Sequence, residues 1–76
     1  MRELGDISWK QFEKFLLREG YQFKSVEGGH SKYKKPGLAR PVIVPRHKKI
    51  PEFVIMTNLR TMGMTKEYFV KKMKKV

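Results

Sequence analysis

Cysteine is absent from the 76-residue chain. Disulfides and thiol chemistry are thereby excluded, and a zinc site would have to be built without sulfur ligands. No apolar run approaches the roughly 18 residues needed to span a bilayer. The first residues include Glu3 and Asp6 and no long apolar core, which argues against a secretory leader. The expected location is the cytoplasm, with no membrane role. Acidic residues are also scarce. There are 7 Asp plus Glu against 18 Lys plus Arg, and between residues 24 and 49 the only acid is Glu27. Metal-dependent phosphodiester chemistry needs clustered carboxylates, and these acids are scattered, so no metal or other cofactor is expected.

What is present is positive charge, unevenly placed. The formal net charge is +11. Residues 1–23 balance four basic against four acidic groups, residues 24–49 carry eight basic groups against Glu27, and residues 66–76 carry five lysines against Glu67. Charge held by a central segment and a tail predicts a polyanionic partner. Apolar residues make up 39% and aromatics 12%, enough for a packed core and not a disordered arm. The length predicts one domain over residues 1–76 with a thin stability margin.

Ser8 followed by Gln11 fits a capping box, and Trp9, Phe12 and Leu16 recur at helical spacing until Gly20. These predict a first helix over about 8–19. Residues 21–25 alternate, Gly28-Gly29 makes a hairpin turn, and His30 to Lys34 alternates again. Pro41 to Pro45 brackets a short third strand. Pro51 falls in the first turn of a second helix with Ile55, Leu59 and Met62 along its apolar stripe and Gly63 at its end. Thr65 can cap a last helix in which Phe69 and Met73 share a face. The fold class is therefore α+β, ordered α-β-β-β-α with an extra short C-terminal helix, the helices on one face of a three-stranded antiparallel sheet.

Strand residues alternate faces. His30, Lys32 and Lys34 therefore share one face, and Ser31 and Tyr33 the other. Tyr33 is the natural core residue, which leaves His30 on the open face with two ammonium groups after it. The turn glycines Gly28 and Gly29 leave the backbone room for a bulky ligand. A lone histidine in a basic protein is most often an ordinary solvated residue, and a basic face is often only a solvated or phosphate-binding surface. The chemistry these residues allow is cleavage of RNA. RNA carries its own nucleophile in the 2′-OH. An imidazole can take that proton near neutral pH, and lysines can stabilise charge on the phosphate.

The ordered set of motifs resembles the HicA toxins, also called YcfA-type mRNA interferases. It comprises Gly20-Tyr21, Gly28-Gly29-His30, Tyr33, Val42-Ile43-Val44-Pro45, the basic loop Arg46-His47-Lys48-Lys49-Ile50-Pro51, and Leu59 to Gly63. The likeness covers about residues 8 to 70. It implies a double-stranded-RNA-binding-domain-like fold, a metal-independent endoribonuclease acting on mRNA, His30 as its catalytic residue, and inhibition by a HicB-type antitoxin. The chain departs from the family pattern at Gly29, where serine is usual, at Ser31, where many members carry a second histidine, and at Asn58, where an apolar residue is expected.

Lys32, Lys34, Lys48 and Lys49, with Gly28 and Gly29, are the candidate RNA-binding residues; Lys48 and Lys49 precede a helix N-terminus, which favours anions. His47 is a candidate second acid–base group or an exposed loop residue. Trp9, Phe12, Phe23, Tyr33 and Leu59 are expected in the core. Phe53 and Met56 fall off the apolar stripe and fit either core packing or a protein partner. The toxin alone is expected to be a monomer. Two other readings stay open: a non-enzymatic double-stranded-RNA-binding module, which would need no imidazole at position 30, and a DNA-binding regulator, against which the basic cluster on strands argues.

Overall fold

A computed structural model describes residues 7–38 and 40–74. The acidic start and Lys75 of the lysine tail lie outside the described residues. Three helices and three strands follow in the order α1 (Trp9–Arg18), β1 (Gln22–Glu27), β2 (His30–Lys34), β3 (Val42–Pro45), α2 (Glu52–Met62) and α3 (Lys66–Met73). The sheet is antiparallel with order β1-β2-β3, so β2 is central. The predicted α+β order stands, and the double-stranded-RNA-binding-domain-like description fits it.

Local chemistry explains most of the boundaries. Ser8 Oγ accepts from the Gln11 N–H, and the Gln11 side chain accepts from the Ser8 N–H, closing the capping box. Thr65 caps α3 in the same way through the Tyr68 N–H. Gly63 ends α2 at φ 72°, a left-handed conformation that other residues adopt only at a cost. Pro51 stands one place earlier than expected, at the N-cap of α2 and not inside its first turn, and no side chain caps that end.

Helix α1 packs on β1 and β3, α2 on β3, and α3 on α1 and α2. The core beneath them is aromatic. Phe12, Phe15 and Phe69 form a mutually contacting trio with ring centroids 4.8–6.1 Å apart, joined by Leu16, Tyr33, Val42, Val44, Ile55 and Leu59, all buried. Two expectations change. Phe23 does lie on the helix side, edge-on to Tyr33, but it sits on an edge strand and is 46% exposed. Trp9 is only half-buried, at the margin of the core. Of the two residues off the α2 stripe, Phe53 is exposed, while Met56 packs against the core.

Asn58 finds its reason in the sheet. It is buried, and its Nδ2 donates to the Ile43 carbonyl at 2.8 Å. An apolar residue there would leave that edge carbonyl of β3 without its partner.

Candidate nucleic-acid interface

The hairpin between β1 and β2 is a two-residue turn with Gly28 at φ 58° and Gly29 at φ 78°. Positive φ at both central positions is the requirement of a type I′ turn, and it is why two glycines stand there. A Cβ at either position would meet nothing within 4 Å, so the turn surface is open as well as tight. Such a turn sets its flanking residues directly opposite one another, and Glu27 pairs with His30. On the other side His30 pairs with Pro45 of β3.

His30 thus begins the central strand on the face that no helix covers among the described residues, and it is exposed. Its Nδ1 lies 3.0 Å from the Gly28 carbonyl oxygen. A carbonyl only accepts, so in the neutral ring Nδ1 carries the proton and Nε2 keeps its lone pair. Along the same face, Lys32 is half-buried opposite Ser25 and Ile43, and Lys34 is exposed opposite Gln22. A bulge at Lys24 lets Phe23 and Val26 both face the helices, while Gln22, Ser25 and Glu27 share the open face with His30.

The other face of β2 is closed. Ser31 and Tyr33 are fully buried. The Tyr33 hydroxyl donates to Glu13 Oε2 at 2.7 Å. Burial first, and that hydrogen bond second, push its pKa well above the usual tyrosine range. Tyr33 therefore stays a neutral donor and is no acid–base group. Position 31, one of the departures from the family pattern, points away from the open surface.

The basic loop is brought to the same end of the sheet. The Arg46 N–H donates to the Gly29 carbonyl at 3.0 Å, the His47 N–H to the Pro45 carbonyl at 2.9 Å, and the Trp9 N–H to the His47 carbonyl at 3.1 Å. Lys48 and Lys49 follow, exposed, before α2. So His30, His47, Lys48 and Lys49 gather at one end, with Lys32 and Lys34 running away from it along β2. Among the described residues, no group of three His, Cys, Asp or Glu comes together in a way that could hold a metal ion. No helix among them is long and apolar enough to cross a membrane.

Sequence reasoning overlooked two neighbours of His30. Glu27 was legible, because a two-residue Gly-Gly turn places the residues before and after it face to face. The side chain of Arg46 was not, because its contacts depend on how a loop far along the chain folds back.

The model of a protein family described as the HicA toxin of bacterial toxin–antitoxin matches residues 9–64. That span runs from the start of α1 past the end of α2, well over half of the chain, and the chain belongs to this family. Comparisons with curated proteins and with solved structures gave no match.

Proposed function

We propose that this member of the HicA toxin family is a metal-independent endoribonuclease that binds mRNA on the open face of its sheet and cuts it with His30 as general base. The observation that carries the reading is the contact of His30 Nδ1 with the Gly28 carbonyl. It leaves Nε2 as a proton acceptor on an exposed surface flanked by lysines. In this mechanism Nε2 takes the proton of a ribose 2′-OH. The 2′-oxygen attacks the adjacent phosphorus, and the P–O bond to the 5′-oxygen breaks. The products are a 2′,3′-cyclic phosphate and a 5′-hydroxyl, the departing oxygen taking its proton from solvent. Lys32 and Lys34 hold the strand and offset charge on the phosphate. Lys48 and Lys49 contact phosphates at the same end of the sheet, and the Gly28-Gly29 turn lets the backbone come close.

Inhibition follows from the same surface. A cognate antitoxin of the HicB type, more acidic than its target, is drawn by the +11 charge and blocks RNA by covering His30. Acylation of His30 by an imidazole-selective reagent should be suppressed in the complex; full reactivity there would exclude occlusion.

The decisive experiment is cleavage of a defined RNA with EDTA present, with His30→Ala and His30→Gln beside the unmutated protein. We expect cutting in EDTA, a 2′,3′-cyclic phosphate end, and a rate loss of about 10²–10⁴-fold in both variants with RNA binding retained. Unchanged cutting by His30→Gln would sink the catalytic assignment. An unmutated protein that binds RNA and leaves it intact would favour the non-enzymatic RNA-binding module.

A further inference from the structure

Arg46 holds both chain neighbours of His30. Its backbone N–H donates to the Gly29 carbonyl at 3.0 Å. Its side-chain Nε donates to Ser31 Oγ at 3.1 Å. The guanidinium carbon lies 4.1 Å from the centroid of the Trp9 ring, a stacking distance for a planar cation on an aromatic face. Trp9 is itself fixed, because it opens α1 and its N–H donates to the His47 carbonyl at 3.1 Å. The loop is pinned once more by the Ile50 N–H on the Ile7 carbonyl at 2.8 Å. A continuous set of contacts therefore runs from the first turn of α1, through Trp9 and Arg46, to the residues on either side of His30.

His30 needs such support. It is exposed and it follows a tight turn. Its ring is bonded, through Nδ1, to the Gly28 carbonyl of that same turn. The ladder holds its backbone on both sides, against Glu27 and Pro45, at the very end of the strand. A further attachment one residue on, where Arg46 bonds the fully buried Ser31, stiffens that strand end and with it the direction in which the Cα–Cβ bond of His30 leaves the sheet. We propose that the Arg46 side chain, stacked on Trp9 and bonded to Ser31, is the positioning residue that aims the imidazole of His30. The inference rests on the reading of His30 as the general base.

The residue type fits the task. Arginine stacks its flat face on an indole while donating in its own plane, and a lysine ammonium cannot do both. Ser31 gains a reason as well. On the closed face of β2 it has no access to substrate, yet it supplies the acceptor that Arg46 requires. A displacement of about 1 Å at a reacting group is enough to lose on the order of 100-fold in rate, so a device of this kind acts on turnover more than on binding.

The test is a double-mutant cycle on the full chain with Arg46→Lys and Ser31→Ala, read by kcat, RNA affinity, melting and the NMR signals of the His30 ring. Arg46→Lys keeps the charge and removes the planar fork. We expect kcat to fall about 10- to 100-fold in each single variant. RNA affinity should change less than about twofold, and the His30 ring signals should shift or broaden. The double variant should be no worse than the poorer single one, because both substitutions break one contact. Additive losses, or full kcat with unchanged His30 signals in Arg46→Lys, would overturn the proposal. Weaker RNA binding at unchanged kcat would overturn it too, and would make Arg46 a phosphate contact. Ser31→Ala serves as the independent arm if Arg46→Lys melts early. His30→Gln separates the two readings. If that variant cuts normally, the base assignment fails, while the ring signals in Arg46→Lys still report whether the clamp exists.

Discussion

The two faces of β2 differ as much as any two regions of this molecule, although one five-residue strand supplies both. Ser31 and Tyr33 point under the helices and are completely buried. His30 and Lys34 point the other way and are exposed, with Lys32 half-buried between them. The closed face is aromatic and hydrogen-bonded to α1 through Glu13. Among the described residues no helix lies over the open face, which carries His30, Lys32 and Lys34. A strand with period 2 lets stability and chemistry be altered independently. Arg46 ties the turn before His30 to the closed face, through Gly29 and Ser31.

The sharpest way to break the comparison is to substitute one residue on each face. His30→Ala should lose about 10²–10⁴-fold in cleavage rate. Its folding stability should change by no more than roughly 0.5 kcal/mol, as for an exposed side chain. Phe12→Ala should do the reverse. Phe12 is fully buried between Phe15 and Phe69, and its truncation should remove about 3–5 kcal/mol. Against a margin of about 5–15 kcal/mol for ordinary domains, and less for one this small, that loss is severe. Thermal melts and cleavage assays on both proteins check the contrast. A His30→Ala protein that is inactive because it has unfolded would return His30 to a structural role.

Salt addresses the open face alone. With about four to six phosphate contacts and about 0.7–0.9 released counterions per contact, log affinity should fall with log salt at a slope near −3 to −5. Between 50 and 200 mM salt this is about a 60- to 1,000-fold loss. Lys32→Ala and Lys34→Ala should each flatten the slope by about 0.7–0.9. Lys71→Ala, an exposed residue of α3, should leave it unchanged. Titrations of RNA at several salt concentrations give the slopes, and a flat response in the unmutated protein would remove the strand face as a phosphate site.

What the sequence made legible divides along the same line. The capping box at Ser8, the glycine turn and the alternation from His30 to Lys34 are local signals, and each appears in the structure where the spacing puts it. So does the division of β2 into two faces. The misses are tertiary. Phe23 looks like a core residue in its own strand and does face the helices, but β1 is an edge strand and leaves the ring half exposed. Arg46 reads as one more basic loop residue until the loop folds onto Trp9. The candidate site itself was legible at His30, Lys32 and Lys34 because a strand displays its residues in order. The gathering of Lys48 and Lys49 at the same end depends on the cross-strand pairing of His30 with Pro45, which no local pattern encodes.

Asn58 offers a smaller test, on the helix that closes the fold over β3. Its amide occupies a position where an apolar residue would pack, and it gives one hydrogen bond to the Ile43 carbonyl. Asn58→Leu keeps the branched shape at a larger volume and deletes the donor. We expect a loss of about 1–2 kcal/mol, the range for leaving one partly buried carbonyl unpaired, and no change in cleavage rate at temperatures where the variant is folded. A gain in melting temperature would mean that apolar packing outweighs the bond and that the asparagine serves something other than stability.

The smallest effect belongs to the Tyr33 hydroxyl and has a definite sign with pH. Tyr33 is buried and donates to Glu13, and both conditions raise its pKa in the folded chain. The unfolded tyrosine titrates near 10. Below that pH both states hold the proton, and the hydrogen bond contributes fully. Above it the unfolded chain releases the proton while the folded chain keeps it, so rising pH favours unfolding, by up to about 1.4 kcal/mol per pH unit for one group. Tyr33→Phe lacks both the bond and the proton. It should be less stable than the unmutated protein by about 1 kcal/mol at pH 7. The gap should narrow from about pH 10 upward and then reverse. Groups common to both proteins drop out of the difference. Melting curves of the pair from pH 7 to 11 measure it directly. A gap that stays constant across that range would show that the phenol is not held protonated by its surroundings, and that the closed face is less tightly sealed than the packing of Tyr33 indicates.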